Sequence, residues 1–286
     1  MSTIGSDSAF SRTKPCSETH LRPVGGREWK HTKKGERYKE WFIYTKELAK
    51  GGFGVVYIGH RQFERENHEI PQCKEETIIF KDMQVNDREK GRVDREIEVH
   101  KTLGNSCENI VKPISRKVFK ATSQYVIAME YCSGGDLERY SRDNQKLWSE
   151  VEAKNIIRSV VYGLKHLEKF RYFHRDIKPN NVFIAIEASR LIFKLGDFGL
   201  AAKMNERNTI GAGTPSYMAP EIDGIREYDC KVDIWSLGKL LQFILIGSSS
   251  KYAIQYIGTR YIFHKLSFLF FLSECHLVSS LCSKKC

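Results

Sequence analysis

The spacing of apolar residues changes along the chain, and with it the element each stretch predicts. Trp41-Phe42-Ile43-Tyr44 and Ile78-Ile79-Phe80-Lys81 are short runs of β-branched and aromatic residues, which predicts strands there. From Arg61 to Glu76 the chain is polar, so a long exposed hairpin loop is expected between two strands. Tyr125-Val126-Ile127-Ala128-Met129-Glu130-Tyr131-Cys132 predicts a further strand that runs into Ser133-Gly134-Gly135. After Ser149 the period becomes helical: Ile156, Val160, Leu164 and Leu167 form a stripe that Ile157 and Val161 widen, as in a helix buried in a core. Ser149 with Glu152 three residues on is a capping box that starts this helix. Asp233, ahead of Ile234-Trp235, is placed as the N-cap of a later helix. Residues 1–38 are rich in Ser, Thr, Lys and Gly with little periodicity, so a basic, disordered extension is expected.

Polar residues of complementary chemistry collect between these elements. His174-Arg175-Asp176-Ile177-Lys178-Pro179-Asn180-Asn181 precedes an apolar, strand-like run, and Asp197-Phe198-Gly199 follows it. Asp176 can orient a hydroxyl and accept its proton, and Lys178 can neutralise charge on a moving phosphoryl group. Asn181 and Asp197 are hard oxygen ligands of the kind Mg²⁺ takes. The string resembles the catalytic loop and metal-binding turn of eukaryotic protein kinases.

Three further stretches match that family in the same order. Leu48-Ala49-Lys50-Gly51-Gly52-Phe53-Gly54-Val55-Val56 resembles the glycine-rich turn G-x-G-x-x-G-x-V, with Gly51, Gly54 and Val56 in place and Ala49 where the first glycine stands. Ile78-Ile79-Phe80-Lys81 resembles the V-A-I-K strand, and Glu96 in Arg95-Glu96-Ile97-Glu98-Val99 is its expected partner; Glu98 faces away from Glu96 on a helix. Gly213-Thr214-Pro215-Ser216-Tyr217-Met218-Ala219-Pro220-Glu221 and Asp233-Ile234-Trp235-Ser236-Leu237-Gly238 resemble the end of the activation segment and the start of the large lobe's central helix.

The resemblance covers residues 42 to about 246. It implies an α+β, bilobal fold: a small antiparallel β lobe over 39–131 and a mainly helical, incomplete large lobe over 132–246, with a tail of unknown structure over 247–286. It implies ATP and Mg²⁺ as cofactors. Ala49, Gly51, Gly54, Val56, Ile79, Lys81, Glu96, Met129, Glu130, Cys132, Asp136 and Phe183 are the expected nucleotide-binding residues. Of these, Met129 is the gatekeeper, the Glu130 and Cys132 backbones bind adenine, and Asp136 reaches the ribose or caps the helix after it. Ile79, in place of a small alanine, implies a tight pocket. His100, one turn after Glu96, is expected as a satisfied, partly buried histidine. Thr214 should contact Asp176 and Lys178, and Asp233 should brace the catalytic loop. Lys178 and the Gly-Thr-Pro sequence place the chain in the serine/threonine branch, with protein Ser/Thr hydroxyls as acceptors. Arg175 implies pairing with a phosphate on the activation segment, placed by an upstream kinase on Thr209 or, second, on Ser216.

Composition narrows the remaining choices. The chain has 286 residues, 41% of them hydrophobic, enough for a large core. No eighteen-residue apolar stretch occurs and no apolar run follows Met1, which predicts a cytoplasmic chain, with the nucleus as the second compartment. Leu266 to Ser283 carries Glu274 and His276, so a membrane anchor is not expected. The net charge of +11 sits mostly at the ends: nine Lys/Arg against five Asp/Glu in residues 1–40, and five against one in 247–286. No basic face interleaved with aromatics stands out, so no nucleic-acid partner is expected. Of eight cysteines five are scattered and Cys275, Cys282 and Cys286 cluster near the end; without a C-x-x-C pair they predict neither a zinc site nor a disulfide framework. Past Gly247 the family pattern can no longer be followed, as a truncation or a different reading of the 3′ end would produce. That motivates the second function class: a truncated, non-catalytic kinase-like binding module.

Overall fold

The computed structural model describes residues 22–23, 30–31, 37–51, 54–65, 76–86, 90–114, 119–121, 124–204, 211–223 and 228–247, and Thr209 and the tail beyond Gly247 lie outside the described residues. The chain opens with strands β1 (Arg22–Pro23), β2 (Lys30–His31), β3 (Arg37–Gly51), β4 (Gly54–Arg65) and β5 (Glu76–Gln84), followed by helix α1 (Lys90–Leu103). Then come β6 (Phe119–Ala121), β7 (Gln124–Glu130), β8 (Gly135–Asp136), α2 (Leu137–Asp143), α3 (Glu150–Lys169) and β9 (Tyr172–Phe173). After a 3₁₀ turn at Pro179–Asn181 follow β10 (Val182–Glu187), β11 (Arg190–Leu195), β12 (Ala202–Lys203) and, past a second turn at Pro220–Asp223, α4 (Lys231–Ile246).

The first lobe is one antiparallel sheet in the order β1-β3-β4-β5-β7-β6, with β2 also on β3. Residues 22–23 and 30–31, within the expected extension, therefore pair as short strands, and β3 begins at Arg37, ahead of Trp41. Residues 61–65, expected as the start of a loop, continue β4, held on β3 by backbone bonds that do not require apolar side chains. Strand alternation sorts β5. Ile78 and Phe80 are buried with Phe42, Tyr44, Val126 and Ala128, while Ile79 and Lys81 point to the opposite face. That face carries α1, whose Val93 and Ile97 pack on Met83, Tyr125 and Ile127.

The second lobe is built around α3. Ser149 and Glu152 form the capping box reciprocally, the Ser149 Oγ accepting the Glu152 N–H and a Glu152 carboxylate oxygen accepting the Ser149 N–H at 2.8 Å. Ile156, Ile157, Val160, Val161, Leu164 and Leu167 are buried against Leu237, Leu240, Leu241 and Ile244 of α4 and against Phe193 and Leu195 of β11. Each such side chain contributes about 1.5–3 kcal/mol by leaving water. Gly163 lets the chain at Asn109–Ile110 approach α3: a Cβ there would stand 3.0 Å from the Asn109 carbonyl oxygen. Backbone bonds between Val111 and Leu195 (2.9 Å) and between Leu195 and Asn109 (2.8 Å) tie that segment to β11.

Two expectations are corrected here. The residue that caps α4 is Cys230, and Asp233 lies inside the first turn, buried, with its carboxylate turned to the catalytic loop. Cys230 is disulfide-bonded, where the cysteine spacing predicts no disulfide framework; among the described residues Cys107 and Cys132 are free. No helix among the described residues is long and apolar enough to cross a membrane.

Candidate active site

A cation and a carboxylate 15 positions apart meet a second carboxylate 116 positions beyond the cation along the chain. Lys81 Nζ donates to both Glu96 oxygens at 2.8 and 2.9 Å and to Asp197 Oδ1 at 3.0 Å. Burial works to lower the Lys81 ammonium, but the charges of Glu96 and Asp197 outweigh it and hold it well above its ordinary value. Burial pushes Glu96 upward and Lys81 opposes it; the two short bonds from the ammonium keep the pair ionised. Burial would likewise raise Asp197, and Lys81 with Arg92 and His174 overcomes it, bringing the carboxyl down to about 2. Asp197 is therefore a carboxylate at any physiological pH. Its backbone, at φ 58°, is in the left-handed region, a strain of the kind that sites retain for function.

The loop beginning at His174 is held by a buried carboxylate. Asp233 accepts the His174 N–H at 2.6 Å and the Arg175 N–H at 2.7 Å. Burial raises its carboxyl, against the pull of His174 and these two N–H groups. The His174 ring, fully buried, lies 3.0 Å from the Gly196 carbonyl through Nε2 and 3.3 Å from the Asp176 N–H through Nδ1. The loop and the turn carrying Asp197 are thus locked to one imidazole.

Asp176 is the centre of a second cluster. Thr214 Oγ1 donates to Asp176 Oδ1 at 2.7 Å, and Lys178 Nζ reaches both Asp176 Oδ2 (2.8 Å) and Thr214 Oγ1 (2.9 Å). The Asn181 amide donates to the Asp176 carbonyl at 2.8 Å and to Oδ2 at 3.0 Å. The Pro179–Asn181 turn is what folds Asn181 back onto Asp176. Thr214, from the far end of the activation segment, closes the triangle.

Among the other expected residues, Ala49 pairs with Val56, Gly51 with Gly54, Val56 with Lys81, and Ile79 with Met129 across the sheet. Gly54 adopts φ 133°, and a Cβ there would stand 2.1 Å from the Asp82 carbonyl oxygen, so close strand approach alone requires glycine. Met129 and Phe183 pack against buried Val111, Cys132, Ala185 and Ile192. Burial, then Glu130, pushes the Cys132 thiol up to about 12, so it is an inert apolar group. Asp136 caps α2, accepting the Arg139 N–H at 2.9 Å. Ser216 is exposed beside the cluster.

Two residues depart from expectation. His100 is buried, not partly buried, and neither ring nitrogen has a partner; its ring meets Phe198 edge-on at 5.0 Å. Burial, then Lys81, lowers it to about 4. Arg175 is also buried: its guanidinium donates to the Leu200 carbonyl (2.7 Å) and the Tyr228 hydroxyl (3.1 Å) and lies over Phe173. No sequence signal marks those partners, since Leu200 offers a carbonyl and Tyr228 lies 53 positions on. Sequence reasoning also missed the use of Glu98, which bonds Lys203 at 2.7 Å and accepts from the Tyr172 hydroxyl at 3.1 Å, fastening α1 to β12 and β9.

A β lobe and a helical lobe, with a lysine–carboxylate cluster and an Asp–Lys–Thr cluster, define a two-lobed α+β architecture. The family model for the protein kinase domain matches residues 42–262, past Ile246 where the visible motifs end. The chain belongs to the protein kinase family. It is 28% identical to a probable myosin light chain kinase of Dictyostelium discoideum over 75% of this chain and 59% of that protein. It is 32% identical to human serine/threonine-protein kinase Nek5 (68% of this chain, 26% of Nek5) and 33% identical to mouse serine/threonine-protein kinase PLK2 (74% and 29%). The chain thus spans less than two thirds of the length of each of these relatives.

Proposed function

We propose that this chain transfers the γ-phosphoryl group of ATP to Ser and Thr hydroxyls of proteins. The observation that carries the reading is the Asp176–Lys178–Thr214 triangle beside an ionised Asp197 held by Lys81. Asp176 orients the acceptor hydroxyl and takes its proton as the oxygen bonds to phosphorus and the bond to the departing ADP oxygen breaks. Lys178 offsets negative charge on the transferring group. Lys81 holds the α- and β-phosphates, with Glu96 fixing its position. The backbones of Glu130 and Cys132 take adenine, Asp136 the ribose, and Val56, Ile79, Met129 and Phe183 form the walls. Ala49, Gly51 and Gly54 edge the phosphates.

The donor set fits Mg²⁺. Among the described residues neither Asp197 Oδ2 nor the Asn181 side-chain oxygen makes a hydrogen bond, while the Asn181 amide nitrogen is engaged with Asp176. A carboxylate and an amide oxygen, completed by phosphate and water, are the hard ligands that Mg²⁺ takes. When bound, the ion neutralises charge between the phosphates.

Lys178, Thr214 and the likeness to Nek5 and PLK2 favour Ser/Thr acceptors. An upstream kinase acting on Thr209 or Ser216 would bring a phosphate toward Arg175, whose guanidinium would exchange Leu200 and Tyr228 for it. We place the chain in the cytoplasm. The binding-module alternative is not favoured, because the protein kinase domain match and the serine/threonine kinase relatives both support transfer. The test is incubation of residues 1–286 with labelled Mg-ATP and a mixed Ser/Thr peptide library, beside Asp176→Asn. Label transfer that the variant lacks supports the reading; a monomeric sample that binds ATP without transfer moves it to a binding module.

A further inference from the structure

The strand leading to Asp197 carries a lysine that takes no part in the transfer described above. Lys194 of β11 has a side chain only 1% exposed, and a buried ammonium persists only where its charge is compensated. Its Nζ stands 3.2 Å from Glu130 Oε2, at the end of β7. Among the described residues Lys194 has no other anion and Glu130 no other cation. The second Glu130 oxygen, Oε1, accepts the Lys112 N–H at 2.7 Å, while the Glu130 N–H donates to the Lys112 carbonyl at 2.9 Å. Glu130 is thus gripped at side chain and backbone by one residue. Lys112 belongs to the segment that backbone bonds stitch to β11 at Leu195. β7, the 109–114 segment and β11 therefore form one connected unit, with the ion pair crossing it beneath Cys132.

We propose that Lys194 is a positioning residue for nucleotide binding: by pairing with Glu130 it keeps that carboxylate on Lys112 and so fixes the Glu130–Cys132 backbone that takes the adenine edge. This rests on the reading that residues 130–132 bind adenine. Without Lys194 the Glu130 carboxylate, whose side chain is 19% exposed, is an unpaired charge that turns toward water, releasing Lys112. A glutamine at 130 has no charge to expose and can keep the Lys112 bond through its amide oxygen.

The experiment measures Mg-ATP affinity by calorimetry, KM and kcat on the full chain, with a thermal melt of every variant. Lys194→Met is expected to weaken ATP about tenfold, with kcat and peptide KM moving by less than about twofold, the signature of lost uniform binding. Lys194→Met/Glu130→Gln should recover most of that loss, whereas Lys194→Met/Glu130→Ala, which lacks both charges and the Lys112 acceptor, should not. The two double variants leave no buried charge, so they decide the matter even if Lys194→Met does not fold. Equal ATP affinity in the two double variants, or a Lys194→Met protein with lowered melting and unchanged ATP affinity, overturns the proposal alone. A wild-type chain that binds no ATP overturns the adenine-binding reading itself, and the proposal with it.

Discussion

Replacing His100 with leucine should stabilise the protein, and more so in acid. The wild-type imidazole is buried on α1 with both nitrogens unpartnered, and its contact is the edge of Phe198, which a leucine can keep. An unsatisfied buried polar group costs about 1–3 kcal/mol, so His100→Leu should gain about that amount at pH 7.5, less any misfit of the new side chain. Acid adds a second difference. The folded-state value is about 4 against an ordinary 6.5, so between these pH values the unfolded chain carries a proton that the native one lacks. Native stability is unaffected above pH 6.5, falls as pH drops through 6.5, and stops falling below 4. At pH 5 the wild type should have lost about 2 kcal/mol through this residue, at about 1.4 kcal/mol per pH unit. The leucine variant should not. Urea unfolding of both chains at pH 7.5 and pH 5 reads the two effects separately. Equal stability at pH 7.5 would mean that His100 finds a partner, and an equal acid loss in both chains would refute the titration argument.

Three other substitutions probe separate links. Thr214→Val removes the hydroxyl between Asp176 and Lys178; kcat should fall about 10- to 100-fold with the unfolding midpoint nearly unchanged, and steady-state kinetics with melting decide it. Asp233→Ala leaves the His174 and Arg175 N–H groups buried without an acceptor, so it should cost about 2–5 kcal/mol in urea unfolding and lower transfer together with stability. Ser149→Ala removes the α3 cap and should cost about 1 kcal/mol while leaving transfer intact; a kinetic defect would contradict the purely local role of the cap.

The parts of this site that the sequence discloses are those whose geometry is local. Asp176, Lys178 and Asn181 sit within one loop and turn, so a string of residues is enough to bring them together. The α3 stripe is similarly local, because helical period and capping box state the same element twice. Asp233 shows the opposite case. The family resemblance assigns it to the loop at His174, but its local position matches only an N-cap: the carboxylate serves two N–H groups 58 and 59 positions away, which no local window of residues reveals. Period identifies the face on which His100 sits, but not whether its nitrogens meet partners. Two-residue strands such as β1 and β2 are too short to have a period at all.

The compensation of each carboxylate indicates where a ligand can act. Glu96 is buried and fully matched by the Lys81 ammonium. Asp233 is buried and matched by backbone N–H groups. Asp176 is buried and surrounded by a hydroxyl, an ammonium and an amide. Asp197 differs from all three: its side chain is 30% exposed, one oxygen holds Lys81, and the other makes no hydrogen bond among the described residues. A carboxylate whose value is lowered to about 2, with one oxygen outside any hydrogen bond among the described residues, retains coordinating capacity for a cation. The remaining oxygen of Asn181 lies in the same neighbourhood, since Asn181 bonds Asp176 and its carbonyl accepts the Gly196 N–H next to Asp197. Asp197 and Asn181 thus both neighbour the proposed proton acceptor through bonded residues, as the proposed phosphoryl transfer requires.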